Sequence, residues 1–187
     1  MLSIEHYNPI DMDINTAIYL KLNAPLGKNK WLDAFGRAGA EWVIFGLAAW
    51  FVVTIFLAFA PDYRKCALVM GVTVVIALVG WALNFFFAFL VREPRPYIAL
   101  GQDHSMFHPY IPSLHRWKSF PSDHAMWSFT ICFMALVWHL PMAWPLFILA
   151  LWIGWSRVFA GVHYPSDIIG GFAVAAFTGS VMNLFIN

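Results

Sequence analysis

The stretch Ser156-Arg-Val-Phe-Ala-Gly-Val-His-Tyr-Pro-Ser-Asp167 joins two long apolar runs, 144–160 and 168–186. Its glycine-containing turn, followed by a Pro-Ser-Asp sequence, is typical of the end of one helix and the start of the next. Pro165 falls in the first helical turn, where a missing backbone N–H is tolerated. The stretch therefore predicts two apolar helices joined by a polar turn that carries His163.

Three further apolar runs lie upstream, at 38–60, 66–91 and 125–140. About 20 residues cross the hydrocarbon core of a bilayer. Charged residues make up 11% of the chain and hydrophobic residues 61%, whereas about 25% of an ordinary soluble domain is charged. We therefore expect an all-α, polytopic membrane helical bundle with about five transmembrane helices, formed by a single domain, 1–187.

The segment 1–37 precedes the first apolar run and is expected to lie at the membrane interface. Within it, 11–26 mixes polar and apolar residues as an amphipathic helix does, with Asp11 or Asp13 as its N-cap and Pro25-Leu-Gly27 as its end. A re-entrant segment is the alternative, since the stretch is too short and polar to span. The first residues lack the basic and apolar regions of a cleaved signal peptide.

Net charge and cysteine content exclude two other classes. The net charge of +1 gives no reason to expect a nucleic-acid partner. Cys66 and Cys132 both lie in apolar runs and have no CxxC or CxxH partner, so neither a disulfide framework nor a cysteine metal site is expected.

Two more polar fragments border the apolar runs. Arg92-Glu-Pro-Arg-Pro96 ends the second run, and Pro121-Ser-Asp-His124 precedes the third, with Ser122 or Asp123 as the natural N-cap. Free N–H groups at such a helix start can bind an anion. The loop 92–124 that joins these fragments is too long to be idle in so compact a protein, so we predict that it is an active-site loop.

Five spans would bring all three polar fragments to one side of the membrane. Arginine forks bind phosphate with two hydrogen bonds, which suits Arg95 and Arg157 to phosphoryl transfer. Asp167 can reach back to one nitrogen of His163 and leave the other free as a nucleophile or base. His124 can supply a proton near neutral pH. No Mg²⁺-type carboxylate cluster is present in the sequence, so no metal and no cofactor is expected.

These fragments resemble the signature of the type 2 phosphatidic acid phosphatase (PAP2) superfamily. Its pattern is Lys-x6-Arg-Pro, then Pro-Ser-Gly-His, then Ser-Arg-x5-His-x3-Asp. The third block matches throughout, and the second differs only in Asp123, which stands where the family usually has glycine. In the first block Arg95 matches, but Ala88 stands in place of the lysine.

The resemblance implies a role for each matching residue. His163 would be the nucleophile that forms a phosphohistidine, Asp167 its orienting acid, and His124 the acid that protonates the leaving group. Arg92 is a candidate substitute for the missing lysine, and an ion pair with Glu93 is an equally weighted alternative. Asp123 is either a simple N-cap or the partner of a cation, Lys118 or Arg116. The candidate phosphate-binding set is Arg95, Arg157, Ser122, Ser156, Asp123 and Arg92.

Within the superfamily, the Pro-Ser-Asp-His variant, the small size and the absent lysine resemble the bacterial undecaprenyl-diphosphate phosphatases of the BcrC type. That resemblance implies hydrolysis of undecaprenyl diphosphate to undecaprenyl phosphate and inorganic phosphate, for recycling of the cell-wall carrier lipid. It also implies a multi-pass protein of the bacterial inner membrane whose site faces the periplasm or cell exterior. Most Lys and Arg lie on the motif side, which would favour a cytoplasmic site if phosphate-binding arginines counted as topogenic charges.

Several alternatives remain open at this point. The same residues would serve a phosphatidic acid or phosphatidylglycerol phosphate phosphatase, or a lipid phosphotransferase. A transporter subunit or a haem or metal carrier is the non-enzymatic alternative; His104, His108 and His115 could bind metal but are expected to be loop histidines. The oligomeric state stays open.

Overall fold

A computed structural model describes residues 13–100 and 117–186, and all regular structure within them is helical. The expected all-α membrane bundle is confirmed. The helices are α1 (Ile14–Asn23), α2 (Lys30–Glu41), α3 (Val43–Phe59), α4 (Tyr63–Val91), α5 (Pro96–Ala99), α6 (Asp123–Val137), α7 (Trp144–Phe159) and α8 (Pro165–Ile186).

Four of the five predicted apolar runs each correspond to one helix of the bundle, namely α4, α6, α7 and α8, and the first run is divided between α2 and α3. Two helices are each long and apolar enough to cross a membrane: α8 and the helix that begins at Tyr63. The pair α2 and α3, bent by 55°, meets the same criterion when taken together. α6 and α7 are apolar but have only 15 and 16 residues. The number of spans therefore stays a prediction.

The first apolar run, 38–60, is divided between two helices. α2 ends at Glu41 and α3 begins at Val43, with Trp42 at the break. α2 starts at the Asn29 cap, whose side chain accepts from two backbone N–H groups, and it packs against α7. A Cβ at Gly36 would collide with Phe159, so α2 can approach α7 this closely only because it has glycine there.

The N-terminal helix α1 begins after the Asp13 cap, one of the two predicted caps. Thr16, Tyr19 and Asn23 are buried, whereas Ile14 and Ile18 on the opposite side are 80% and 42% exposed. The polar side of the helix therefore packs against the protein. Its location at a membrane interface stays a prediction.

The candidate site lies where helix ends meet. α6 and α8 pack closely along each other and start at the same end of the bundle, where the backbone N–H of Ser122 donates to the carbonyl of Asp167 (3.0 Å). A Cβ at Gly171 would lie 2.5 Å from the carbonyl oxygen of Ser122, so glycine permits this approach. Of the predicted loop 92–124, residues 101–116 lie outside the described part.

Candidate active site

His163 lies in the turn between α7 and α8 and is only 2% exposed. Its Nδ1 lies 3.1 Å from Asp167 Oδ2, and its Nε2 lies 3.2 Å from Arg95 Nη1. Since a guanidinium can only donate, Nε2 accepts and Nδ1 carries the ring proton. The geometry therefore indicates a neutral imidazole whose Nε2 lone pair points toward a cation.

Asp167 is held in the first turn of α8 by several donors. Its Oδ2 accepts from Ser119 Oγ (2.6 Å) and from the backbone N–H of Tyr164 (2.8 Å), in addition to His163. A carboxylate in the first turn that reaches back to the preceding N–H resembles a capping box. The predicted contact between Asp167 and His163 is present, whereas Ser119 was missed because no motif spacing marks it.

Burial and two nearby cations act on the imidazole of His163. Removal from water, then the positive charges of Arg95 and Arg157, lower the pKa of His163 well below its ordinary value. Each of these effects disfavours the protonated ring. His163 is therefore kept in the form that can act as a nucleophile.

Arg95 and Arg157 approach the turn from different helices. Arg95 immediately precedes α5, and its Nη1 donates to the carbonyl of Val162 (2.8 Å). Arg157, in the last turn of α7, donates to the carbonyl of Ala40 (3.2 Å), and its buried Nε has no partner within the described residues. The buried hydroxyl of Ser156 likewise has no partner there. Buried donors left open in this way suit an anion site.

His124 occupies the first turn of α6, whose N-cap is Ser122 as predicted. Its ring is half-buried and makes no hydrogen bond within the described part of the chain. Burial, then the charges of Arg157, His163 and Arg95, lower the pKa of His124 to about 3, and only Asp123 acts in the opposite direction. The structure therefore brings His124 into the same cluster as His163.

Asp123 is paired with one of the two cations considered for it. Lys118, only 4% exposed, has its Nζ 2.6 Å from Asp123 Oδ1 and 2.5 Å from Oδ2. Asn84 on α4 donates to the same carboxylate (2.7 Å) and to the carbonyl of Pro121 (3.1 Å). Arg116 lies outside the described residues. Sequence reasoning did not identify Asn84, which is 39 positions from its partner.

Arg92 is not part of the cluster formed around His163 and Asp123. It ends α4 in the left-handed region (φ 50°), donates from Nε to the carbonyl of Phe89 (3.2 Å) and lies over the Phe89 ring. Within residues 13–100 and 117–186 it forms no ion pair with Glu93, and no three His, Cys, Asp or Glu side chains cluster as metal ligands. His104, His108 and His115 lie outside those ranges.

The arrangement combines a neutral imidazole, two guanidinium groups, the start of α6 and a second imidazole at one place. Phosphoryl transfer requires mainly positioning and cations around the non-bridging oxygens. The site has both elements, and this is the chemistry of a phosphatase. The PAP2 superfamily model matches residues 65–187, and the chain belongs to that superfamily.

Individual relatives agree with this membership. Undecaprenyl-diphosphatase BcrC of Bacillus subtilis is 31% identical over 166 residues, which cover 89% of this chain and 81% of the relative. Lipid A 1-phosphatase of Rhizobium johnstonii is 30% identical over 174 residues, covering 84% and 70%. The predicted resemblance is confirmed, and the protein is a membrane lipid phosphatase of the PAP2 superfamily.

A solved structure shares the fold. The crystal structure of the first transmembrane PAP2 type phosphatidylglycerolphosphate phosphatase from Bacillus subtilis superposes with a TM-score of 0.65 at 21% identity. The match covers 96% of this chain and 87% of that one. This similarity extends to the helical bundle as a whole.

Proposed function

We propose that the protein hydrolyses undecaprenyl diphosphate to undecaprenyl phosphate and inorganic phosphate through a phosphohistidine on His163. The observation that carries the mechanism is the Nδ1 contact of His163 with Asp167, which leaves Nε2 directed at Arg95. The substrate is supported by the similarity to undecaprenyl-diphosphatase BcrC. No metal takes part in this proposal.

In the first step, Nε2 of His163 attacks the terminal phosphorus and a P–N bond forms. The bond from phosphorus to the bridging oxygen breaks, and His124 donates a proton to that oxygen. The negative charge of the bound diphosphate raises the pKa of His124, so that the ring is protonated when substrate is bound. Asp167 stabilises the imidazolium that results, as the acid of a triad does. Arg95 and Arg157 bind the non-bridging oxygens, together with the start of α6 at Ser122.

In the second step, water attacks the phosphohistidine. His124, now neutral, accepts the proton of that water while the P–N bond breaks. Inorganic phosphate leaves, and His163 returns to the neutral form with its proton on Nδ1. The two steps together consume one water and restore both histidines.

Other lipid phosphates are the rival substrates. The relatives include a lipid A 1-phosphatase, and the structural neighbour is a phosphatidylglycerolphosphate phosphatase. The same residues would serve those substrates, phosphatidic acid, or transfer to a second lipid acceptor. Only the region that holds the lipid would differ, so direct competition between substrates must decide.

The test is inorganic phosphate release in detergent with EDTA present. We expect release from undecaprenyl diphosphate by the native protein and at least about a 10³-fold loss in His163→Ala, because removal of a nucleophile can cost on the order of 10⁶-fold in rate. His139→Asn is the matched control, because this exposed histidine lies at the opposite end of α6. Its activity should equal that of the native protein.

The outcomes separate substrate from mechanism. Faster release from phosphatidylglycerol phosphate or lipid A than from undecaprenyl diphosphate would overturn the substrate. Retained activity in His163→Ala would overturn the mechanism, and loss of activity in EDTA that Mg²⁺ restores would overturn its metal independence.

A further inference from the structure

One side of α1 is formed by Asn15, Tyr19 and Asn23, which are spaced by four residues and therefore share a face. Tyr19 is 0% and Asn23 is 1% exposed. This face packs against the α7–α8 turn, defined here as residues 159–166, which carries His163. The N-terminal helix is thus in contact with the segment that holds the proposed nucleophile.

Asn15 caps the start of α8 from 151 positions away in the chain. The backbone N–H of Ser166 donates to Asn15 Oδ1 (3.0 Å), and Asn15 Nδ2 donates to Ser166 Oγ (2.7 Å). First-turn N–H groups of a helix have no intrahelical acceptor, and Asn is among the best residues to supply one. The capped residue directly precedes Asp167, the partner of His163.

Asn23 and Tyr19 hold the other half of the turn. Asn23 Nδ2 donates to the carbonyl of Phe159 at the end of α7 (2.7 Å). The Tyr19 ring meets the Tyr164 ring edge-on, with centroids 5.5 Å apart. A Cβ at Gly161 would lie 3.3 Å from both Asn23 Nδ2 and the Tyr19 hydroxyl oxygen. The contacts of α1 thus lie on both sides of His163.

The turn needs this support because of its own composition. Gly161 has φ +82° and no side chain to pack. Besides Asp167, the ring of His163 contacts Arg95 and the backbone of Ser119, and in the proposed reaction Arg95 must also bind the phosphate. Contacts that hold the turn itself therefore help to keep Nε2 aligned with phosphorus.

We propose that α1 positions the nucleophile, with Asn15 and Asn23 fixing the two helix ends that flank His163. Neither asparagine contacts the reacting atoms, so both are positioning residues. This inference rests on the proposed function, because it assigns a role relative to His163 as the nucleophile. It gives the N-terminal helix a part in the reaction as well as any contact with the membrane.

The test compares Asn15→Ala and Asn23→Ala with Lys21→Ala, an exposed position on the same helix. Misplacement of a reacting group by about 1 Å can cost about 100-fold in rate. On that basis we expect kcat per folded molecule to fall about 10- to 100-fold in both asparagine variants, with KM unchanged. Lys21→Ala should match the native protein.

The pH profile provides a readout that a purely structural role would not move. A loosened turn admits water to His163, whose pKa then rises toward its ordinary value of about 6.5. The acid limb of kcat/KM should therefore move to higher pH in Asn15→Ala and Asn23→Ala. It should not move in Lys21→Ala.

The same substitution at the two asparagines should give opposite results. Asn15→Asp keeps an oxygen that accepts from the N–H of Ser166, so it should restore most of the activity lost in Asn15→Ala. Asn23→Asp replaces the amide donor with an oxygen that faces the carbonyl of Phe159, so it should be at least as impaired as Asn23→Ala. Gel filtration in detergent measures the folded fraction of each variant.

Two results would overturn the inference. One is a kcat per folded molecule that equals that of the native protein in both alanine variants. The other is a change in KM alone, with kcat unchanged. If His163→Ala is inactive while the asparagine variants behave as Lys21→Ala does, the positioning role alone fails. If His163→Ala remains active, the proposed function fails and the positioning role fails with it.

Discussion

The charge state of His163 follows from its surroundings rather than from its ordinary chemistry. Burial and the charges of Arg95 and Arg157 lower the pKa of His163 well below its usual value, so the ring stays neutral in the fold. The cost of keeping two cations beside a buried imidazole is partly offset by the bond from Nδ1 to Asp167 (3.1 Å). In the proposed mechanism, the negative charge of the bound phosphate attracts both guanidinium groups and releases the lone pair on Nε2.

This depressed pKa predicts a pH-dependent stability. Below about pH 6.5 the unfolded chain protonates His163 but the folded protein does not, so the free energy of unfolding should fall by about 1.4 kcal/mol per pH unit. His163→Gln should remove this contribution, and His139→Asn should not. Unfolding in detergent between about pH 7.5 and 5 measures it, on either side of the ordinary histidine pKa. Equal slopes for native protein and His163→Gln would contradict a depressed pKa at this position.

A second prediction concerns the pair Lys118–Asp123. Lys118 is only 4% exposed, whereas the side chain of Asp123 is 35% exposed, so removal of Asp123 leaves a buried ammonium group without compensation. A double-mutant cycle of Lys118→Met and Asp123→Asn should give a coupling energy of about 1–3 kcal/mol. The exposed pair Arg37–Glu41 (3.1 Å) is the control and should give about 0.5 kcal/mol or less. Similar coupling in both pairs would show that Lys118 does not neutralise Asp123.

At the scale of elements, the α7–α8 turn connects His163 to the rest of the fold. Gly161 has φ +82° and faces α1, whereas Gly27 has φ +80° and open space around it among the described residues, where a Cβ would meet nothing within 4 Å. Alanine in the left-handed region costs about 1–2 kcal/mol. Gly27→Ala should therefore lose about that much stability, and Gly161→Ala should lose more, because its methyl group also presses on Tyr19 and Asn23.

Activity assays on the same two variants distinguish strain from positioning. Gly161→Ala should reduce kcat because the methyl group separates α1 from the turn, whereas Gly27→Ala should leave kcat unchanged. Equal losses of stability and activity in the two variants would show that the contact between α1 and the turn has no special effect.

Local patterns predicted some of these elements well. The apolar runs predicted helices because a long run of apolar side chains in a membrane protein leaves the backbone to satisfy its own hydrogen bonds. Ser122 and Pro165 marked helix starts because capping depends on neighbouring residues. The break at Trp42 was missed because it goes with the packing of α2 against α7, a helix far along the chain that local patterns do not report.

The contacts in the candidate site likewise divide into local ones, which sequence spacing predicts, and distant ones, which it does not. His163 and Asp167 are four residues apart at a helix start, so their contact could be predicted from spacing. The contact of Ser119 with Asp167 joins residues 48 positions apart, and that of Asn15 with Ser166 joins residues 151 apart. Periodicity carries no information over such distances. The helix α1 was predicted, but which of its faces contacts the protein was not.

At the scale of the whole molecule, orientation in the membrane is the next prediction. Arg95 and Arg157 are only 7% and 6% exposed, which supports leaving them out of the positive-inside count. We expect the site to face the periplasm or cell exterior. A cysteine at Trp31, 76% exposed on the site side, should react with a membrane-impermeant maleimide in whole cells.

A cysteine at Tyr63, 68% exposed at the opposite end of α4, should react only after the cells are opened. The native Cys66 and Cys132 are 1% and 0% exposed and should give little background. Labelling of Tyr63→Cys but not Trp31→Cys in intact cells would reverse the orientation.

The most direct test of the central claim is capture of the covalent intermediate. Native protein mixed with undecaprenyl diphosphate labelled at its terminal phosphate should, after a rapid quench in base, retain label that is stable to base and released by acid. The label should be absent from His163→Ala, present in His139→Asn, and located on His163 by peptide mapping. Label on His163→Ala, or on any other residue of the native protein, would contradict nucleophilic attack by His163.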